Sequence, residues 1–191
     1  VNDILKMVIV LGSICTVAGL GLAGVQSVTK EPIEYQQIKF IKEPSVKAVL
    51  AGFENDPIKD RFNLPAGKDK KGRDVFQTVF PAKKGGQVIA MALDGSGKGF
   101  NGDIQVMIGI KPSGELTGIS IMKHSETPGI GSRVTEAKFT DQFKKATVDN
   151  PTAVDGVSGA SYSTKGVFAA VTNAVNFFKN NKQQILAQAG K

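Results

Sequence analysis

The 191-residue sequence has a single cysteine, Cys15, and a single histidine, His124. One thiol excludes an intrachain disulfide. It also excludes a cysteine-ligated iron–sulfur cluster or a cysteine-rich zinc site built by this chain alone, and one imidazole excludes a histidine-rich metal centre. No metal ligands are assigned, so any redox chemistry of the chain falls to an organic cofactor. No internal repeat is present. There is no nucleic-acid recognition motif and no arginine-rich stretch with interleaved aromatics, and the lysines are spread along the chain. The formal net charge of +7 is therefore read as a solvated basic surface that can meet anionic lipid or an acidic partner, with no nucleic-acid partner expected.

Charge is also absent from Met7 to Thr29. At about 1.5 Å per residue, a helix of that length crosses the ~30 Å hydrocarbon core of a bilayer. Lys6 marks one end; Lys30 and Glu31 mark the other. A removable signal peptide is the competing reading; residues 1–29 are taken as a retained transmembrane anchor. The run from Gly19 to Gly24 matches G-x-G-x-x-G, but that fingerprint needs a preceding strand and a βαβ unit. Inside an apolar span the small residues are better read as helix-packing positions. Cys15 is read as a membrane-core residue, because Ile14 is too large for a lipid-attachment site and the apolar run continues past it.

Residues 30–44, with Pro32 and Pro44, read as a linker. A short helix is expected over Ser45–Phe53, with Val46, Val49, Leu50 and Phe53 on one face. Residues 54–72 are polar and rich in Pro, Gly and Lys, and are expected to form a surface loop. Strand patterns follow at Val75–Phe80, Val88–Leu93, Ile104–Ile110 and Leu116–Met122. Lys83–Gly86 and Pro112–Gly114 are the turns between them. A helix is expected over Thr135–Ala146 with Phe139 and Phe143 facing the core. A last helix is expected from Ser163 or Thr164, with an apolar stripe of Val167, Phe168, Val171, Ala174, Val175 and Phe178. Gln183–Lys191 reads as a fraying polar tail. The fold class is α+β: an antiparallel β-sheet packed with helices, preceded by one N-terminal transmembrane helix. The domain reading is 1–29 anchor, 30–44 linker, 45–187 folded domain and 188–191 tail.

The densest chemistry lies in Asp155-Gly156-Val157-Ser158-Gly159-Ala160-Ser161-Tyr162-Ser163-Thr164. Small residues let a backbone approach a bulky ligand, and hydroxyls with free N–H groups at a helix start seat a phosphate. An ordinary helix cap would use the same residue types. Gly156–Ala160 nearly fits the serine-hydrolase elbow G-x-S-x-G, but Ala160 breaks it, and parallel βαβ units are lacking.

Three segments, in order, carry a family resemblance. Asp155–Ser161 resembles the flavinylation motif of the FMN-binding domain family, found in the RnfG (RsxG) component of the Rnf electron-transport complex and in the NqrC component of the sodium-pumping NADH:quinone oxidoreductase. That motif reads Asp, two variable residues, Ser or Thr, Gly, Ala, Thr; here Ser161 stands at the last position. Lys123–Ser132 resembles the family loop His-x-Glu-Thr-Pro-Gly-Leu-Gly, with Ile130 for Leu. Gly97–Ile104 is similar to the family's glycine-rich entry into the central strands.

The resemblance covers roughly residues 45 to 187 and implies a covalent FMN cofactor, esterified through its phosphate to Ser161. Gly159 and Ala160 would keep the approach open. Ser158, Ser163 and Thr164 would bond phosphate or ribityl oxygens, or cap the helix; Tyr162 would stack on the isoalloxazine or serve as a structural Tyr. Glu126, Thr127, Pro128 and Gly129 would hold the flavin ring. Asp155 would serve recognition by a separate flavin transferase, or cap its own turn. His124 would be a proton donor to reduced flavin or a structural strand-end residue.

The implied function is an electron-transfer subunit of a membrane-bound, ion-translocating ferredoxin:NAD oxidoreductase. It would catalyse no complete reaction alone. Its implied partners are the other membrane and redox subunits, the flavin transferase and membrane lipid. Its implied place is the cell inner membrane, with the soluble domain on the periplasmic side. The alternatives are the quinone-reductase homologue, disfavoured by the short chain, and a cofactor-free anchored scaffold.

Overall fold

The computed structural model describes residues 2–68 and 72–190, with backbone alone at 30–35 and 37. Two units are distinguished, the first ending at Phe40 and the second starting at Ile41. The first is one α-helix, α1 (Asn2–Gln37), which runs on into a π-helical turn at Ile38–Lys42. The stretch Asn2–Thr29 is long and apolar enough to cross a membrane, with a mean hydropathy of 2.2 and none of it buried. The flanking side chains of Lys30 and Glu31 lie outside the described residues. The expected linker is helical backbone, so Pro32 does not end the helix.

The second unit opens with α2 (Glu43–Val49), which carries Pro at its start and ends at an extended Leu50. It begins earlier and stops sooner than Ser45–Phe53. A proline in the first helical turn gives up no intrahelical bond, so Pro44 sits inside the start of the helix and not before it.

Five strands follow: β1 (Phe62–Lys68), β2 (Asp74–Lys84), β3 (Gln87–Lys98), β4 (Asp103–Ile110) and β5 (Leu116–Lys123). They form one antiparallel meander in chain order. Strand alternation divides their side chains between two cores. Met91, Leu93, Val106, Ile108 and Ile110 face one cluster, shared with the last helix. Ala90, Ala92, Phe80 and Met107 face the other, shared with Val46, Val49 and Leu50 of α2. The β2–β3 turn is the pair Gly85–Gly86 at φ 56° and 77°, the left-handed geometry that a two-residue hairpin favours.

β1 corrects the expected 54–72 loop, of which residues 69–71 lie outside the described residues. Among the described residues the strand pairs only with β2, and it breaks register between Pro65 and Gly67, an arrangement that edge strands tolerate. Leu64 is its one buried side chain, too little alternation to show in the sequence.

The expected Thr135–Ala146 helix is broken into a 3₁₀ turn at Gly131–Thr135, a short α3 (Ala137–Thr140) and a second 3₁₀ turn at Asp141–Lys145. Thr135 and Thr140 donate their hydroxyls to the preceding carbonyls of Ser132 and Glu136, a local bond that competes with regular helix. Packing still places Phe139 and Phe143 in the core, edge to face at 5.4 Å, with Phe168 6.3 Å from each. Phe143 is fully buried, so Phe143→Ala is expected to cost about 3–5 kcal/mol. A denaturant midpoint that does not move would contradict this packing.

The last helix, α4 (Ser161–Ala189), starts two residues before the expected Ser163. Nor does it fray: Ile185 and Ala189 are buried and continue its apolar stripe past the polar Asn180–Gln184. Lys191 lies outside the described residues. α4 lies close against β3 because glycine lines the contact. A Cβ on Gly97 would stand 2.7 Å from the Ala170 backbone nitrogen, and one on Gly166 would stand 2.9 Å from Gly99 Cα.

Candidate functional site

Helix α4 begins with Ala160 at its N-cap, a residue without a capping oxygen, and no side chain caps its leading amides. The first free N–H groups of a helix carry partial positive charge and look for an acceptor. Ser161 is the first helical residue and is exposed. Its two neighbouring hydroxyls are committed elsewhere. Ser163 is buried and donates to Glu126 Oε2. Thr164 is buried and accepts from the Val157 N–H at 3.0 Å. Neither caps α4, which corrects the capping role expected for them.

The approach to Ser161 is open. Gly159 takes φ 78° with no atom within 4 Å of where a Cβ would lie. The Ser158 carbonyl accepts from Arg133 Nη1 at 3.2 Å, and the Asp155 backbone exchanges bonds with the Gln142 side chain. The Asp155 side chain is exposed.

Glu126 is the centre of the opposite wall. It is only 5 % exposed. Oε1 accepts from the Phe100 and Asn101 amides, both at 3.0 Å, while Oε2 takes the Ser163 hydroxyl. Burial pushes the carboxyl up. The bonds from Ser163, Asn101 and Phe100, with a smaller contribution from His124, outweigh burial and hold it below the ordinary 4.5. A folded-state value that is depressed means stabilisation present above about 4.5 and lost as pH falls through the depressed value. Stability is therefore expected to drop on acidification below that point, and Glu126→Gln to flatten this part of the profile. Urea midpoints from about pH 6 to about pH 3 test it; parallel profiles for the two proteins would contradict it.

A cleft of about 280 Å³ joins these parts, lined by Phe100, Glu126, Thr127, Ile130, Gly131 and the Gly159–Ser163 turn. Phe100 and Tyr162 are each 67 % exposed, with ring centroids 6.0 Å apart. Lys165 Nζ lies 5.9 Å from the Tyr162 ring. The cleft gathers Glu126, Thr127, Gly159, Ala160, Ser161, Tyr162 and Ser163 of the expected site. Pro128 and Gly129 shape the adjoining turn, where Gly129 has φ 74° and donates to Ser132 Oγ. Ser158 and Thr164 line a second recess, which Ser161 also lines. His124 follows β5 and accepts the Glu126 N–H at Nδ1, 3.2 Å away, a strand-end structural contact.

Sequence reasoning missed Phe100, Ile130 and Gly131 as lining residues. Phe100 carried a signal: an aromatic flanked by Gly99, Asn101 and Gly102 in a hairpin turn has no core to enter.

The cleft thus sets an exposed serine at a helix start beside two exposed aromatic side chains. Residues 99–176 match the model of the FMN-binding domain. Along most of its length the sequence resembles the G subunits of ion-translocating oxidoreductase complexes. It is 28% identical to the G subunit of the proton-translocating ferredoxin:NAD(+) oxidoreductase complex of Clostridium ljungdahlii, over 84% of each chain. It is 26% identical to the Na(+)-translocating counterpart of Acetobacterium woodii, over 93% of this chain and 92% of that one. The fold is shared with NqrC of Shewanella oneidensis, at a TM-score of 0.54 and 20% identity, over 80% of this chain and 76% of that one.

Proposed function

We propose that the protein is an electron-transfer flavoprotein subunit of a membrane-bound, ion-translocating ferredoxin:NAD oxidoreductase of the Rnf type. In this reading FMN is held covalently, by a phosphoester to Ser161. One observation carries it: the exposed Ser161 lines the cleft at the uncapped start of α4. The relatives named above supply the complex.

The residues suit this cofactor. A phosphate on Ser161 Oγ would sit at the positive end of a 29-residue helix. Phe100 and Tyr162 offer faces to an isoalloxazine ring. The cleft is close to the ~300 Å³ lower bound of ligand sites, so part of the ring would face solvent and a redox partner. Bound FMN supplies the electron chemistry; the chain binds it, orients it and leaves one side open.

Attachment needs a donor, and FAD supplied through a flavin transferase balances the step. Ser161 Oγ forms a bond to the phosphorus of the FMN half. The pyrophosphate bond breaks, AMP leaves with the bridging oxygen, and the hydroxyl proton is released. Asp155, exposed six residues before Ser161, is available to the transferase.

Residues 1–29 would anchor the protein in the inner membrane, with the domain at 45–187 on the periplasmic side beside the other membrane and redox subunits. It would complete no reaction alone. Denatured protein from the native host is expected to keep in-gel flavin fluorescence and to weigh one FMN less water above the chain mass. Colourless native protein of plain chain mass would favour a cofactor-free scaffold.

A further inference from the structure

We propose that Glu126 is the positioning residue of this flavin acceptor: its carboxylate clasps the Phe100–Asn101 turn to the first turn of α4, so that the Phe100 ring and the Ser161 hydroxyl meet one incoming flavin together. The inference rests on the flavin reading above.

The clasp joins segments distant in sequence. Phe100 and Asn101 belong to the β3–β4 turn, which closes on itself through Gly99 N–H donating to Gly102 O at 2.8 Å. Ser163 belongs to α4. An ionised carboxylate accepts and never donates, and three donors converge on this one: two amides and a hydroxyl. The surrounding backbone is cut to fit it. A Cβ on Gly99 would stand 2.6 Å from Glu126 Oε1, and one on Gly131 would stand 2.9 Å from Oε2. Asn101 Nδ2 adds a tie to Thr127 Oγ1 at 3.1 Å.

The clasp also uses up the Ser163 hydroxyl, leaving Ser161 as the acceptor in that turn. Phe100 and Tyr162 come from the two clasped segments, so their 6.0 Å spacing depends on the clasp. Near-attack geometry is worth orders of magnitude in rate, so a loosened wall should slow transfer without changing how the donor is bound.

The test uses the full-length chain in detergent, made without a flavin transferase, then supplied with purified transferase and FAD. Glu126→Ala is expected to lower kcat for transfer about tenfold or more, with KM for FAD unmoved. Flavin eventually attached to it should show lower fluorescence anisotropy. Hydrogen exchange should rise at the Phe100 and Asn101 amides while the β3 and β4 amides stay protected.

Glu126→Gln is expected to recover most of the rate, because its oxygen can accept both amides and its NH₂ can meet a rotated Ser163 hydroxyl. Wild-type transfer by Glu126→Ala would overturn the inference. So would Glu126→Gln failing as badly as Ala, since charge would then matter and not the clasp. If exchange shows Glu126→Ala unfolded, Ser163→Ala is read instead; a lowered kcat supports the clasp and an unchanged one overturns it. A wild-type chain that takes no flavin overturns the flavin reading and this inference with it.

Discussion

Ser161→Ala is expected to abolish denaturation-resistant flavin completely, in protein from the native host, while the fold survives. The loss should be total because no neighbour can substitute. Ser163 is two residues on, buried, with its hydroxyl given to Glu126. The Thr164 oxygen receives the Val157 N–H on the far side of the helix start. Ser158 lies before the helix and outside the cleft that Ser161 shares with Phe100 and Tyr162.

The fold should survive because Ser161 is exposed and caps nothing. Surface changes of that kind usually stay within about 0.5 kcal/mol. Ser161→Thr is expected to load normally: the methyl group narrows the rotamer choice without removing the nucleophile, and an exposed first-turn position has room for it. Intact mass after denaturation and in-gel fluorescence decide both. Retained flavin in the alanine protein would move the attachment elsewhere and sink the assignment of Ser161.

Gly97→Val is expected to prevent folding of the globular unit, and Gly97→Ala to destabilise it by about 1–3 kcal/mol or more. The sequence around Gly97 looks like a loop: Gly95, Gly97 and Gly99 alternate with Ser96 and Lys98. In the fold the first two glycines lie on β3 under α4. A Cβ on Gly97 meets the Ala170 nitrogen at 2.7 Å and the Ala169 Cβ at 2.9 Å. Backbone cannot swing aside as a side chain does, so strand and helix must part. They would part beside Gly166 and Gly99, which carry the same close contact towards the Phe100 turn. Flavin uptake should therefore fall along with stability. Gly12→Ala in α1, where nothing lies within 4 Å, is the neutral control. Thermal unfolding of the two full-length proteins by circular dichroism is the comparison; equal midpoints would mean that the seam tolerates a methyl group.

Sequence alone conveyed the parts of the fold that are strongly apolar. β3 and β4 carry apolar runs buried on both faces, and the α4 stripe recurs at helical spacing. β1 was illegible because an edge strand with one buried side chain has no pattern to read. The break at Glu136 was illegible because Phe139 and Phe143, four apart, satisfy a helix and a pair of short turns equally well.

The site divides in the same way. The Asp155–Ser161 motif was readable from local chemistry and family likeness. The clasp was not, because it joins Phe100, Glu126 and Ser163 through contacts that no local spacing encodes. Chain order placed Ser163 near a helix start and suggested a cap. Only the packed structure shows its hydroxyl turned to Glu126 instead.

The uncapped first turn of α4 bears on which copies of the protein persist. Without a side-chain acceptor, its leading amides wait for one. A phosphate tied to Ser161 would meet them at an effective concentration that no free anion reaches. A covalent tie would keep that hold when free nucleotide runs low. An unfinished copy would lack that added hold, and proteases sample open chains. The same bare amides that invite the cofactor would thus mark the chains that never received it, and maturation would double as its own quality control.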